Sequence, residues 1–96
     1  MDRFEDKVII VTGAGSGLGQ ATSLQLAKEG AKLVLVDLNQ AGLDETKSKI
    51  LKVAPNADTL LILANVADEK AVENYVQQTV DKFTKIDGFF NNAGVE

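Results

Sequence analysis

Four short apolar runs divide this chain: residues 7–12 (Lys-Val-Ile-Ile-Val-Thr), 32–37 (Lys-Leu-Val-Leu-Val-Asp), 59–64 and 87–91. The first three are continuous aliphatic stretches rather than alternations of apolar and polar residues. Such runs mark strands buried on both faces, because a strand with one wet face alternates. The fourth run carries Phe89 and Phe90. Between the runs the pattern changes to a helical period. Across residues 17–29, Leu18, Thr22 and Leu26 recur every four positions, with Ala21 and Ala27 on the same side, and Gly30 supplies a left-handed cap. Asn39 is placed to N-cap a second helix carrying Leu43, Thr46, Lys47, Ile50, Leu51 and Ala54, which Pro55 and Asn56 end. Asp68 caps a third helix, whose Val72, Tyr75, Val76, Thr79, Val80 and Phe83 form one apolar face.

The order βαβαβαβ predicts an α/β fold with a doubly wound parallel sheet and helices on both faces. No linker, repeat or low-complexity tract interrupts it, so residues 1–96 are expected to form part of a single domain, truncated after its fourth strand.

Composition then closes several functional routes. The 96 residues contain neither cysteine nor histidine, which excludes a zinc finger, a Ser-His-Asp triad, a thiol nucleophile and any disulfide. Nothing points to an oxidising compartment, and a cytoplasmic location is expected. Ten basic against fourteen acidic residues give a net charge of −4, without the basic footprint of a nucleic-acid or anionic-membrane binder. The four aliphatic residues from Val8 to Val11 are far too few for a signal sequence or a membrane span.

The chemistry is carried by the segment Thr12-Gly13-Ala14-Gly15-Ser16-Gly17-Leu18-Gly19, between the first strand and the first helix. Its glycines remove the β-carbons that would keep a bulky anion from the backbone. The helix beginning there directs free N–H groups and the positive end of its dipole at that anion. A phosphate or pyrophosphate site follows. A triphosphatase loop would need Gly-Lys-Ser/Thr at its end, but Gln20 and Ala21 follow Gly19. The G-x-G-x-x-G spacing is not met either; T-G-x-x-x-G-x-G is, through Thr12, Gly13, Gly17 and Gly19. The alternative is a glycine turn chosen only for tight strand-to-helix packing. Asp37, at the end of the second strand, can accept both hydroxyls of an adenosine ribose and would repel a 2′-phosphate. Neither Ala14, Ser16 nor Leu38 offers a cation for such a phosphate, so NAD is expected in preference to NADP. The bland alternative for Asp37 is an N-cap or a solvated strand end.

With the glycine motif, Asp37 and the run Asn91-Asn92-Ala93-Gly94, the chain resembles the short-chain dehydrogenase/reductase family over essentially its whole length. Within that family it looks most like cyclic-ketone or polyol reductases of the levodione-reductase type. The resemblance implies a Rossmann-type fold and an oxidoreductase that transfers hydride between NAD(H) and an alcohol or ketone. It implies that Gly13, Ser16, Gly17, Leu18 and Gly19 wrap the pyrophosphate, and that Asp37 and Leu38 face the adenosine ribose and adenine. Asn65 and Val66 stand where the family usually has Asp-Val against the adenine. An Asn oxygen can still accept from the adenine amino group, and its NH₂ adds a donor. Asn92, Ala93 and Gly94 are implied near the cofactor riboses, with Asn91 tying the central strands together. A homo-oligomeric parent with a small-molecule substrate is also implied.

The family's catalytic serine and its Tyr-x-x-x-Lys pair lie beyond the Asn-Asn-Ala-Gly signature. Here Tyr75 is followed four residues on by Thr79 and belongs to an apolar helix face. The chain itself is therefore expected to be catalytically incompetent and to hold no metal. Two alternatives stay open: a stand-alone, non-catalytic NAD-binding module, or an interaction protein whose fourth strand is completed by another chain.

Overall fold

The computed structural model describes residues 3–92. The elements are β1 (Val8–Thr12), α1 (Gly17–Lys28), β2 (Lys32–Asp37), α2 (Gln40–Val53), β3 (Thr59–Leu63), α3 (Glu69–Phe83) and β4 (Gly88–Asn91). All four strands are parallel, in the spatial order β3-β2-β1-β4. The register sets Thr12 level with both Val36 and Asn91, so the strands end together. The chain builds outward from β1 to β3, then crosses back to place β4 on the other side of β1. That reversal opens a crevice at the C-terminal ends of the strands, where α/β sheets bind ligands. This is the doubly wound α/β arrangement expected of a Rossmann-type sheet.

The continuous apolar runs of β1 and β2 are explained by cover on both sides. Ile9, Val11, Leu33 and Leu35 face α1 and α2, where they meet Leu26, Ala27, Leu43 and Ile50. The alternate residues Val8, Ile10, Val34 and Val36 face α3 and pack with Ile62 and Tyr75. Every residue of β1 is buried. The outer strands differ. β3 is only half-buried, with Leu63 exposed, and on β4 Phe89 and Phe90 are 47% and 44% exposed. An apolar run thus identifies a strand without reporting how many neighbours it has.

The caps fall where the sequence puts them. Asn39 accepts from the Gly42 amide at 3.0 Å and Asp68 from the Lys70 amide at 2.9 Å. Gly30, at φ 91°, turns the chain out of α1. Helix faces needed correction in part. On α1 the buried side is Gly19, Gln20, Ser23, Leu26 and Ala27, while Leu18 is 62% exposed and Ala21 is also exposed. The small residues face inward because α1 crosses close over the loop that precedes it. On α2, Lys47 and Leu51 are exposed, and Gly42, Leu43, Thr46 and Ile50 are buried; on α3, Val80 turns outward.

Candidate functional site

β1 delivers the chain at its C-terminal end into the glycine loop. Gly13 sits at φ 65°, in the left-handed region open to glycine at little cost, and turns the loop back across β2. There the Ala14 amide donates to Val36 O at 3.2 Å and the Gly15 amide to Asp37 Oδ2 at 2.8 Å. Ser16 is the N-cap of α1, yet no side chain caps this helix and no acidic residue lies in its first turn. The first turn of α1 is therefore left without a side-chain cap, as a phosphate-binding terminus requires, while the Asp37 carboxylate takes the Gly15 amide just ahead of it.

The glycines divide the work. A β-carbon on Gly19 would lie 1.9 Å from Gly13 O, so Gly19 is needed for α1 to seat against its own loop. A β-carbon on Gly17 would have nothing within 4 Å. Packing does not demand glycine there; the open space in front of the backbone is what a bulky anion needs. Leu18, between them, projects outward at the mouth.

Asp37 ends β2 beside this loop. One carboxylate oxygen accepts from Gly15 N and the other from Asn39 N at 2.9 Å. The side chain therefore orders both the loop and the approach to α2, and each oxygen retains a second lone pair. Leu38 next to it is 65% exposed. At the end of β3, Asn65 Oδ1 already accepts from the Ala67 amide at 2.9 Å, so its NH₂ is the less committed half of this exposed side chain. Val66 packs against the core face that includes Tyr75.

Thr12 joins β1 to β4. Its hydroxyl donates to Asn91 Oδ1 at 2.6 Å and accepts from Asn92 N at 3.1 Å, which gives Asn91 its strand-tying role. Asn92 Nδ2 is buried with no hydrogen-bond partner among the described residues. Ala93 and Gly94 lie outside the described residues. The other expected site residues all lie at or just after the C-terminal ends of parallel strands, and so come to one edge of the sheet.

Three residues at this edge escaped the sequence reading. Gly42 in α2 approaches the loop so closely that a β-carbon there would be 2.5 Å from Gly15 O. Thr46, expected only as part of an apolar face, directs its hydroxyl to Ala14 O at 2.7 Å and Gly42 O at 2.9 Å. Gln20 is buried between α1 and α2. A glycine in the first turns of a helix, where it is disfavoured, was the one available signal.

Tyr75 is not part of this edge. It is buried in the α3 face of the core, 6.2 Å from the Phe89 ring, and burial raises its hydroxyl above the ordinary value. Among the described residues no cluster of three potential metal ligands occurs, and no helix is long and apolar enough to cross a membrane. A dinucleotide fits the edge on three counts: an uncapped helix terminus, open space at Gly17, and a carboxylate pinned to the loop.

Comparison with known proteins agrees with this geometry. Residues 7–96 match the short chain dehydrogenase family. Levodione reductase of Leifsonia aquatica is 54% identical over 94 residues, which cover 98% of this chain and 35% of that protein. A crystal structure of levodione reductase superposes with a TM-score of 0.93 at 54% identity, over 95% of this chain and 35% of that one. The crystal structure of NAD⁺-bound xylitol dehydrogenase gives a TM-score of 0.88 at 37% identity, over 95% and 34%. The chain thus spans about a third of the length of the curated relatives it matches.

Proposed function

This chain belongs to the short-chain dehydrogenase family, and from that premise we propose that it is the N-terminal, NAD-binding part of a single Rossmann-type domain. The parent is an oxidoreductase that moves hydride between NAD(H) and a small alcohol or ketone. The observation that carries this reading is the 2.8 Å bond between Asp37 and Gly15 N, which sets a carboxylate against an uncapped, anion-binding helix terminus. When bound, the cofactor supplies the hydride acceptor or donor.

The residues then take separate roles. The backbone N–H groups around Ser16, Gly17, Leu18 and Gly19 neutralise the pyrophosphate, and Gly13 makes the turn that aims them. Asp37 accepts the ribose hydroxyls and opposes a 2′-phosphate, which favours NAD over NADP. Leu38 offers an apolar surface to the adenine, Asn65 an amide donor, and Val66 a wall. The buried NH₂ of Asn92 is assigned to an acceptor near the riboses, and Ala93 and Gly94, next in the sequence, are assigned to the same riboses. The NAD⁺-bound xylitol dehydrogenase, at 37% identity, supports the cofactor assignment.

No Tyr-x-x-x-Lys occurs in the 96 residues and Tyr75 is buried in the core, so the family's proton donor to a carbonyl oxygen is not supplied by this chain. Ketone-dependent NADH oxidation by this chain above trace rates would overturn that statement. A cytoplasmic, homo-oligomeric parent completes the reading. The exposed Phe89 and Phe90 favour a second one, in which β4 is the pairing edge of an interaction module.

Calorimetric titration tests the cofactor assignment. NAD should bind more tightly than NADP, and Asp37→Ala should erase the difference. Equal affinities in the parent chain would remove Asp37 as the ribose reader.

A further inference from the structure

Gln20 lies in the first turns of α1, only 8% exposed, in a position where the cofactor reading gives it nothing to do. Its NH₂ donates to Glu45 Oε1 at 2.8 Å, and reaches Gly15 O at 3.4 Å and Gly42 O at 3.5 Å. Its oxygen accepts from Lys49 Nζ at 3.1 Å, and that ammonium lies 3.8 Å from Glu45 Oε1. The amide can face only one way. An ammonium has no acceptor and a carboxylate or carbonyl no donor, so Lys49 fixes the oxygen end and three acceptors fix the nitrogen end.

The consequence falls on Gly15. Its N–H is held by Asp37 and its C=O by Gln20, from opposite sides of the same residue. Glycine-rich backbone rotates its peptide units at little steric cost. A loop of this kind can therefore present either N–H groups or carbonyl oxygens to an approaching anion, and the two have opposite sign. We propose that Gln20, oriented by Lys49 and Glu45, is a positioning residue that locks the Gly15 carbonyl toward α2 and so keeps the loop in its anion-accepting form. This rests on the reading of the loop as a pyrophosphate site. The lock belongs to α2 as much as to α1, because Glu45 and Lys49 stand one helical turn apart on α2 and Gln20 alone would have no fixed direction.

Gln20→Met keeps the length and removes every polar contact. Lys49→Met releases only the oxygen end, and Lys49→Arg restores a donor. In the 96-residue chain, Gln20→Met should weaken NAD binding about five-fold, the scale of one net hydrogen bond. Amide exchange at Gly15 and Ser16 should accelerate on the order of ten-fold, while amides of Val34 and Leu35 in β2 exchange as before. Lys49→Met should move both readouts the same way by less, and Lys49→Arg should recover them. Unchanged loop exchange in Gln20→Met, or equal acceleration of loop and β2 amides, would overturn the proposal and leave Gln20 a packing residue. If Gln20→Met does not fold, the half-exposed Lys49 carries the test: Lys49→Met without a loop-specific change overturns the proposal equally. Failure of the parent chain to bind NAD would instead overturn the cofactor reading, and loop exchange would still decide the role of Gln20.

Discussion

Gly17 and Gly19 stand two residues apart in one motif, and the structure gives them opposite reasons to be glycine. A β-carbon on Gly19 would sit 1.9 Å from Gly13 O, 2.7 Å from Gly13 C and 2.9 Å from Ala14 Cα. All three are backbone atoms, so no side chain can swing aside. Gly19→Ala must push α1 from its loop by about an ångström, which places it at the upper end of overpacking costs, about 3 kcal/mol. Alanine's better helix propensity returns about 1 kcal/mol. The net loss of about 2 kcal/mol corresponds to a fall in melting temperature of roughly 8–16 °C for a chain of this size. Gly17→Ala meets nothing within 4 Å and needs no left-handed backbone. It should hold the melting temperature or raise it by a few degrees, through about 0.4–1 kcal/mol of lost unfolded-state freedom. Its methyl group would stand in the space assigned to the pyrophosphate, and NAD affinity should fall about ten-fold or more, equivalent to ~1.4 kcal/mol. Thermal melts by circular dichroism and calorimetric titration of both variants separate the two effects. Parental NAD affinity in Gly17→Ala would show that no anion approaches there. A melting temperature within a degree or two of the parent in Gly19→Ala would refute the close approach itself.

Three further outcomes follow from other contacts. Thr12→Val removes the hydroxyl that joins Asn91 Oδ1 to Asn92 N; chemical denaturation should show a loss of about 2 kcal/mol, with amides of β4 exchanging fastest. The Val8 amide and then the Lys85 ammonium hold the Asp87 carboxyl below its ordinary 3.8. A lowered value contributes stability that is present above about pH 4 and lost as the pH falls toward the folded-state value. Melting temperature against pH should therefore fall less steeply below pH 4 in Asp87→Asn than in the parent, and parallel curves would contradict the assignment. Phe90→Lys places a charge on the exposed edge strand; sedimentation should show concentration-dependent association in the parent and less in the variant, whereas a parent that stays monomeric would count against β4 as a pairing edge.

Much of this protein was legible from local pattern. The order of helices and strands, the apolar runs of β1 and β2, the caps at Asn39 and Asp68, the turn at Gly30 and the burial of Tyr75 each depend on residues within one or two turns of one another. The glycine loop and Asp37 were legible for the same reason: backbone conformation and helix polarity are local properties, and a parallel sheet must bring strand ends to one edge. The levodione-reductase-like character of the chain also lay in its linear motifs.

What the tertiary structure decided depends on which element passes which. The strand order β3-β2-β1-β4 left β3 and β4 as edges, although the apolar run of β3 looks no different from those of covered strands. The approach of α2 to the loop made Gly42 obligatory, gave Thr46 a polar task inside an apolar stripe and buried Gln20 among charges. The seating of α1 over its own loop drew small residues to its inner face and turned Leu18 outward. Periodicity records which side of an element is apolar; it carries no record of the distance at which a second element will cross, and a few tenths of an ångström at that crossing decide whether a β-carbon fits.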